Sequence, residues 1–376
     1  MRAARGSPLV ASPALRRTRY LLVTGGAGFI GCNLADRLAR EGEHVLVLDS
    51  LGRAGVERNL SWLKRRHPSR VAELVADVRE AAAAEAVAGA AGVFHLAAQV
   101  AVTTSIADPA EDLDVNVRGT LNLLDAARRR SHPPPFIFAS TNKVYGNLAD
   151  IDLEPDVDSV QPVDPQIRRF GIGEHRPLAF HTPYGCSKGA ADQYVLDYAR
   201  TYGVPSAVLR MSCTYGPHQH GSEDQGWIAH FIERARRGEP ITIYGDGRQV
   251  RDVLYVEDAV EAYVRLLRQI GCGNRAGHVF NLGGGPGNVV SLRQMLREIE
   301  ELLGHRIELT YAEWRPGDQR YYVSDTRRIT NALALAPPRP WRQGLRLLAE
   351  WANQSAGPAS PEPALLGVQT PAESTP

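Results

Sequence analysis

Short apolar runs alternate with longer segments of helical periodicity through most of this chain of 376 residues. The apolar runs predict strands at residues 20–24, 44–49, 71–75, 92–96, 136–140, 206–211 and 278–282. The segments between them predict helices, notably over residues 113–130, 183–202 and 257–269. Because strands that alternate with helices are joined by crossover connections, the pattern predicts an α/β fold with a doubly wound parallel sheet.

The first predicted strand ends in a glycine-rich turn, and a helical pattern begins within that turn. Gly25 permits a tight turn, Gly28 lets backbone approach a phosphate, and Gly31 allows the helix to pack against the strand. Unpaired N–H groups at the helix N-terminus favour an anion there. The turn is therefore a candidate site for a dinucleotide pyrophosphate in a Rossmann domain, although glycine-rich turns also occur for geometric reasons alone.

Two carboxylates follow the next two predicted strands. Asp49 lies about 20 residues beyond the glycines, where it can accept hydrogen bonds from ribose hydroxyls and repel a 2′-phosphate. The predicted cofactor is therefore NAD(H), with Arg53 as a contrary sign. Asp77 follows the third strand and is a candidate for the adenine amino group, or a simple helix cap.

The fourth predicted strand ends in small side chains. Ala97 and Ala98 leave room for the pyrophosphate and ribose of a cofactor, although alanines in a buried strand need no such reason. Asn116, on the helix that follows, is a candidate to hydrogen-bond backbone near the site; a surface polar residue is the equal alternative.

A tyrosine and a lysine at helical spacing carry the candidate chemistry. Tyr184 and Lys188 are four residues apart, which places phenol and ammonium on one face of a helix. A nearby cation favours phenolate, so the tyrosine can act as a base. Ser140 and Thr141 end the fifth strand, and the carboxyl ends of parallel strands open on the ligand crevice. A hydroxyl there can share a hydrogen bond with the reacting substrate oxygen.

Charge and cysteine content narrow the classes of partner. The formal net charge of +1 argues against a nucleic-acid partner. The four cysteines show no CxxC pair or zinc spacing, the histidines near residue 220 fit no compact site, and we predict no metal. No apolar run is long enough for a membrane span, so we predict a cytoplasmic protein. Residues 1–18 and 354–376 are predicted to be a disordered leader and tail.

Taken together, these motifs resemble the extended short-chain dehydrogenase/reductase family over residues 19–353. The resemblance implies that Tyr184 is the acid and base, that Lys188 lowers its pKa and holds the nicotinamide ribose, and that Thr141 orients the substrate hydroxyl. It also implies hydride transfer between a sugar carbon and NAD. The implied cofactor-binding residues are Gly25, Gly28, Phe29, Ile30, Gly31, Asp49, Asp77, Val78, Leu96, Ala97, Ala98, Gln99, Asn116, Tyr184, Lys188 and Met211.

Within that family the chain is most similar to CDP-paratose 2-epimerases, which invert carbon 2 of a nucleotide-linked sugar. The similarity lies in residues 95–106, 140–146, 184–200, 224–227 and 317–320. It implies a nucleotide-sugar substrate with Arg251 and Arg315 on its pyrophosphate. The implied substrate-binding residues are Gln99, Thr141, Asn142, His181, Cys213, Gln225, Trp227, Arg251, Arg315 and Asp318.

Two departures separate the chain from better-known relatives. Asn142 and Lys143 follow the strand-end hydroxyl, where 4,6-dehydratases usually carry an acidic residue that assists elimination of water. Cys213 stands where many 4-epimerases and dehydratases have asparagine. A 4-epimerase or dehydrogenase of the same family is the alternative function, and a catalytically silent NAD-binding module is a remote one.

The family resemblance also implies the domain organisation and assembly. We expect an NAD-binding domain over residues 19–211 and 252–284, and a discontinuous α+β domain for the nucleotide sugar over residues 212–251 and 285–353. A homodimer or dimer-based tetramer is expected, with the helices predicted at 113–130 and 183–202 at its interface.

Overall fold

A computed structural model describes residues 19–272 and 277–355 of the chain. The predicted leader lies outside the described residues, as does the predicted tail beyond Ser355. Gln354 and Ser355 belong to the last helix, which extends slightly further than the sequence pattern indicates. Among the described residues, no helix is both long and apolar enough to span a bilayer.

The strands and helices follow one another in alternation through the first half of the chain. In chain order the strands are β1 Tyr20–Thr24, β2 Val45–Asp49, β3 Val71–Val75, β4 Ala90–His95, β5 Phe136–Thr141, β6 Leu153–Pro155, β7 Val160–Pro162, β8 Ser206–Met211, β9 Cys213–Tyr215, β10 Ile241–Tyr244, β11 Val250–Tyr255, β12 His278–Leu282, β13 Val289–Ser291, β14 Leu309–Ala312 and β15 Tyr321–Tyr322. The helices are α1 Phe29–Arg40, α2 Val56–Arg66, α3 Ala81–Gly89, α4 Val102–Ala107, α5 Pro109–Leu113, α6 Gly119–Arg128, α7 Pro165–Phe170, α8 Thr182–Tyr202, α9 Trp227–Arg236, α10 Val256–Gly271, α11 Leu292–Leu303, α12 Arg327–Leu333 and α13 Trp341–Ser355.

The central sheet has seven strands within the described residues, in the order β12-β8-β5-β4-β1-β2-β3. All of its neighbouring strands are parallel. The order reverses between β1 and β4, which is the switch point where ligands bind in doubly wound sheets. The predicted α/β fold is therefore confirmed, and each of the seven predicted strands is present with bounds within two residues of the prediction.

Apolar side chains cover both faces of this sheet because helices pack against each face. On one face, α1, α2 and α10 pack in a cluster that includes Leu34, Leu63 and Tyr263. On the other face, α3, α6 and α8 pack in a cluster that includes Leu124 and Val195. The sheet is therefore rigid where its carboxyl ends carry the candidate site.

A second, smaller layer follows β8. Strand β11 pairs with β9, β13 and β15, and β10 pairs with β14. Helices α9, α11 and α13 bury a third apolar cluster against these strands. The predicted domain boundary between residues 251 and 252 falls inside β11, the whole of which pairs within this second layer. The division into two domains at those residues stays a prediction.

The helix predicted over residues 113–130 begins earlier than expected. Helix α5 starts at Pro109, with Asp108 accepting a hydrogen bond from Glu111 N, and a π-helical turn at Asp114–Arg118 joins α5 to α6. Proline is well tolerated in a first helical turn, so Pro109 can begin α5.

Candidate active site

The glycine turn between β1 and α1 has the close backbone approach that a pyrophosphate site requires. Gly25 has φ +67°, and a Cβ there would lie 2.7 Å from Ala97 N. A Cβ on Gly31 would lie 2.2 Å from Gly25 O. Helix α1 begins at Phe29 with no side-chain cap on its N–H groups. Those donors stay available to an anion, so the turn fits the phosphates of a dinucleotide.

Asp49, at the end of β2, fixes the same turn. Its Oδ2 accepts a hydrogen bond from Ala27 N at 3.0 Å, and its Oδ1 accepts one from Leu51 N at 2.9 Å. Burial raises the pKa of Asp49, while these backbone donors and the charge of Arg53 oppose that rise. The carboxylate lies on the wall of the cleft, in a position to accept from ribose hydroxyls.

A cleft of roughly 460 Å³ runs along the carboxyl ends of the central strands, within the usual size range of small-molecule sites. It continues from the glycine turn past Asp77 to the ends of β5 and β8 and on to α9. The predicted site residues on its wall are Gly25, Gly28, Phe29, Ile30, Gly31, Asp49, Asp77, Val78, Leu96, Ala97, Ala98, Thr141, Asn142, Tyr184, Lys188, Met211, Cys213, Gln225 and Trp227.

The three predicted catalytic side chains meet on this wall. Thr141 is the last residue of β5, and its Oγ1 accepts a hydrogen bond from Lys143 N at 3.2 Å. Tyr184 and Lys188 lie on the first turns of α8, buried with 9% and 3% of their surface exposed. The fold therefore brings together residues from two elements more than forty positions apart in the chain.

The electrostatics of the tyrosine differ from the expectation. Burial raises the pKa of Tyr184 to about 12, and a hydrogen bond with Thr141 opposes the rise. Burial lowers the pKa of Lys188 to about 7, with Asp192 and Asp112 opposing. The Lys188 ammonium lies 4.0 Å from the ring centroid of Phe138. Lys188 thus lies over an aromatic ring, and burial favours the protonated form of Tyr184.

A buried polar network lies beneath Thr141 and Lys188. Arg210 donates from Nε and Nη2 to both oxygens of Asp192, at 2.9 and 3.0 Å, and neither side chain is more than 4% exposed. Ser140 donates to Asp192 Oδ2 at 2.8 Å, and Arg210 donates to Tyr145 Oη at 3.1 Å. The network joins β5, β8 and α8, so it fixes the strand end relative to the helix.

Asn116 hydrogen-bonds backbone near the site, as predicted. Its Oδ1 accepts from Gln99 N at 2.9 Å and its Nδ2 donates to Gln99 O at 3.1 Å and Ser187 Oγ at 2.9 Å. The side chain is 1% exposed, so the alternative of a surface polar residue is wrong. It is the middle residue of the π-helical turn, and its bonds to Gln99 and Ser187 join that turn to the loop after β4 and to α8.

Six predicted site residues do not line the cleft. The side chain of Asn116 makes the hydrogen bonds described above. Gln99 closes a local turn by hydrogen-bonding Ala101. His181 is exposed and immediately precedes α8. Arg251 donates to Asp318 Oδ1 at 2.7 Å, so these two side chains form an ion pair. Arg315 stacks 3.9 Å from the Tyr244 ring centroid and pairs with Glu223 and Asp224. Direct ligand contact through these six stays a prediction.

Two functional candidates escaped the sequence reasoning. Lys143 lines the cleft, although the pattern indicated only that it replaces an acid. Asn59 donates from Nδ2 to Ala27 O at 3.0 Å and to His218 O at 3.1 Å, which ties the glycine turn to the loop before α9. Asn59 lies on the buried, apolar face of α2 with Leu60 and Leu63. A polar residue on an apolar helix face indicates a buried hydrogen-bonding role, and this was the signal in the sequence.

The loop before α9 also contacts the segment that follows β2. Arg53 hydrogen-bonds Gln225, and the Trp62 ring lies 4.0 Å from the ring of His218. Burial lowers the pKa of His218 to about 4, so this imidazole is neutral near pH 7. Within the described residues, no group of three or more His, Cys, Asp or Glu side chains is placed to hold a metal ion.

Comparison with known proteins agrees with this geometry. A family model described as the NAD dependent epimerase/dehydratase family matches residues 21–283. CDP-paratose 2-epimerase of Salmonella typhi is 38% identical over 349 residues, covering 89% of this chain and 99% of that protein. The crystal structure of UDP-glucose 4-epimerase with UDP-glucose from Thermotoga maritima has a TM-score of 0.76 at 31% identity, covering 90% of this chain and 100% of that one.

A third relative carries the cofactor. UDP-glucose 4-epimerase of Thermus thermophilus in complex with NAD has a TM-score of 0.74 at 30% identity, covering 90% of this chain and 100% of that one. The glycine turn, Asp49 and the cleft fit the same dinucleotide here. The resemblance drawn from the motifs is confirmed: the chain belongs to the NAD dependent epimerase/dehydratase family and uses NAD as its cofactor.

Proposed function

We propose that this enzyme inverts carbon 2 of a nucleotide-linked sugar, with a CDP-linked deoxy sugar as substrate. The observation that carries the proposal is that Thr141, Tyr184 and Lys188 meet on one cleft wall. Thr141 is followed in the chain by Asn142 and Lys143 and not by an acidic residue. Similarity over nearly the full length of a CDP-paratose 2-epimerase supports the choice of carbon and nucleotide.

The residues of the chain supply positioning and proton transfer. When bound, NAD+ supplies a hydride acceptor and a positive charge. Thr141 orients the hydroxyl on carbon 2, and Tyr184, as the phenolate that the positive charge of bound NAD+ would favour, accepts its proton as the carbon is oxidised to a ketone. Tyr184 is then a phenol, the form that burial favours by raising its pKa to about 12, and it returns this proton to the oxygen when the ketone is reduced on its opposite face. No net oxidation results.

The absence of an acidic side chain at positions 142 and 143 disfavours elimination of water. Asn142 donates from Nδ2 to Gln319 Oε1 at 3.2 Å, and Lys143 donates to Gly317 O at 3.1 Å. Neither side chain is a proton donor of carboxylic-acid strength. For a keto intermediate in this cleft, reduction is therefore the favoured next step, which supports epimerisation over dehydration.

The test is a panel of nucleotide sugars incubated with the NAD-loaded protein, with NMR of the products at each sugar carbon. We expect inversion at carbon 2 of CDP-paratose, with deuterium at carbon 2 retained and none gained from D2O. Inversion at carbon 4 would establish the 4-epimerase alternative, and accumulation of an oxidised sugar with NADH would establish a dehydrogenase. Turnover of no sugar would leave the silent NAD-binding module.

We also propose a homodimer, or a tetramer built from dimers, through α5, α6 and α8. Leu113 and Tyr194 on these helices are 48% and 44% exposed, so this face offers large apolar side chains to a partner. Light scattering on the wild type and on Leu113→Glu/Tyr194→Glu tests this. We expect a dimer or larger for the wild type and a monomer for the double variant; a wild-type monomer would contradict the assembly.

A further inference from the structure

Lys143 stands two residues after Thr141, in the short turn that leaves β5. It lines the same cleft as Thr141 and Tyr184. Its Nζ donates to Gly317 O at 3.1 Å and lies 3.5 Å from Asp318 Oδ1. An ammonium group has three donors, and these two acceptors leave one for a ligand oxygen in the cleft.

The charge around Lys143 is incompletely balanced. Asp318 Oδ1 is shared with Arg251 Nη2 at 2.7 Å, so two cations face a single carboxylate. Asp252, the next residue of β11, points to the other side of the strand and is held by Ser212 and by Gly285 N. Burial lowers the pKa of Lys143, and Asp318 only partly offsets this. An anion from the ligand would complete the balance.

The segment that holds Lys143 is itself fixed to the active-site turn. Gln319 is fully buried, and its Nε2 donates to Gly146 O at 2.6 Å. Asn142 Nδ2 donates to Gln319 Oε1 at 3.2 Å. The ammonium of Lys143 is therefore held in place before any ligand arrives, and side-chain ordering costs little on binding.

The position of an anion relative to the reacting carbon distinguishes the possible sugar chemistries. In a nucleotide sugar the phosphate is attached at carbon 1. Carbon 2 is bonded directly to carbon 1, whereas carbon 4 lies across the ring. A sugar that presents carbon 2 to Tyr184 must therefore bring its phosphate close to Thr141 and Tyr184, and one that presents carbon 4 carries the phosphate away from them.

We propose that Lys143 binds the sugar-linked phosphate of the substrate and thereby selects carbon 2 for the reaction. This inference rests on the proposed function and adds the residue that determines its regiochemistry. A sugar bound with carbon 4 at Tyr184 would place an uncharged ring against Lys143 and leave the ammonium without its anion. Such unmatched charge is a strong basis for rejecting the wrong orientation.

The test compares nucleoside diphosphates with nucleoside monophosphates, because the former carry the second phosphate and the latter lack it. Calorimetry is carried out on the NAD-loaded protein with CDP, UDP, dTDP, GDP and ADP, and then with the monophosphate of the base that binds most tightly. The variants are Lys143→Met and Lys143→Arg, with the exposed Lys64→Met as control. Thermal unfolding of each variant checks that it is folded.

We expect Lys143→Met to weaken the diphosphate about tenfold or more and to leave the monophosphate within about twofold, because one charge-assisted contact is lost. Lys143→Arg should retain most of the preference for the diphosphate, and Lys64→Met should change neither affinity. An equal loss for both nucleotides, or no loss, would overturn the role of Lys143 at the phosphate.

Regiochemistry gives a second readout. In the NMR assay, kcat/KM of Lys143→Met for inversion at carbon 2 should fall by about tenfold or more, chiefly through KM, with NAD content unchanged. If the wild type inverts carbon 2 and Lys143→Met has an unchanged kcat/KM for this reaction, only the role of Lys143 would be overturned. Wild-type inversion at another carbon, or no binding of any diphosphate, would overturn the proposed function before any variant is examined.

Discussion

Arg210 and Asp192 form a bidentate ion pair directly beneath the candidate catalytic residues, with 4% and 0% of their side-chain surfaces exposed. Their N–O distances are 2.9 and 3.0 Å. Asp192 lies one turn beyond Lys188 on α8, and Arg210 lies on β8 next to the strand that ends in Thr141. The pair therefore sets the distance between the helix and the strand that carry the candidate catalytic residues.

Removing the charge of Asp192 should destabilise the protein strongly. Asp192→Asn leaves the guanidinium of Arg210 buried without a counter-charge, which typically costs about 3–5 kcal/mol. Urea unfolding measures this. The control is Glu154→Gln, because the Glu154–Arg168 pair has side chains 46% and 43% exposed and should contribute at most about 1 kcal/mol. Similar small losses in both variants would show that the buried pair is dispensable.

Replacing the phenol should stop the reaction without releasing the cofactor. Tyr184→Phe removes the group that moves the proton, so we expect kcat to fall at least about a hundredfold. Tyr194→Phe on the same helix is a matched control, because Tyr194 is 44% exposed and faces away from the cleft. NAD content measured after gel filtration should stay equal in both variants. Full activity in Tyr184→Phe would contradict the assignment of the acid and base.

The lowered pKa of Lys188 predicts a pH-dependent stability. Burial lowers this pKa from 10.5 to about 7, so between these values the unfolded chain binds more protons and stability rises with pH. The charged form of Lys188 lowers the free energy of unfolding most below pH 7. Lys188→Met lacks this cost, so its advantage over the wild type should shrink from pH 7 to pH 10.

The slope of that difference should approach about 1.4 kcal/mol per pH unit. Urea unfolding of the two proteins at one-unit pH steps gives it directly. Lys64→Met, at an exposed position, should show no comparable slope. A wild-type minus variant difference that is flat from pH 7 to pH 10 would mean that Lys188 is not desolvated in the folded protein.

Asn59 should control how long the cofactor is held. Asn59→Ala frees the loop before α9 from the glycine turn and should lower stability by about 1–3 kcal/mol while accelerating NAD release. Asn288→Ala is the matched control, because buried Asn288 also bonds two backbone groups, Arg339 O at 2.8 Å and Trp341 N at 3.0 Å, away from the cleft. Fluorescence-detected NAD release should be faster in Asn59→Ala only. Equal rates of NAD release from the two variants would show that the loop before α9 does not control cofactor retention.

Local pattern sufficed for much of the fold and site. The apolar runs that became β1 to β5, β8 and β12 are short, bounded by turn residues and separated by helical periodicity, so each could be recognised within a few residues. The glycine turn, Asp49 and the Tyr184–Lys188 spacing are also local signals. They indicate chemistry because strand ends and helix faces orient side chains in ways that depend only on neighbouring residues.

Other features depend on contacts between distant parts of the chain. The pKa of Tyr184 is raised because packing removes water from the phenol, and no local pattern reports that burial. Arg251 and Asp318 both appeared as ligand contacts, yet they pair with each other across 67 positions. Such a pairing requires that β11 and the segment before β15 be adjacent, which is decided only when the second layer assembles.

The sequence by itself determined the alternating elements and the dinucleotide turn, because these follow from periodicity and from short-range backbone geometry. It also indicated a candidate catalytic set, through the family resemblance. Only the tertiary structure decided that Asn59 bonds both Ala27 and His218, the latter 159 positions from Asn59, and that Lys143 reaches Gly317 beside the candidate catalytic residues. Those contacts arise because close packing brings distant segments within hydrogen-bond reach and excludes the water that would otherwise satisfy their polar groups.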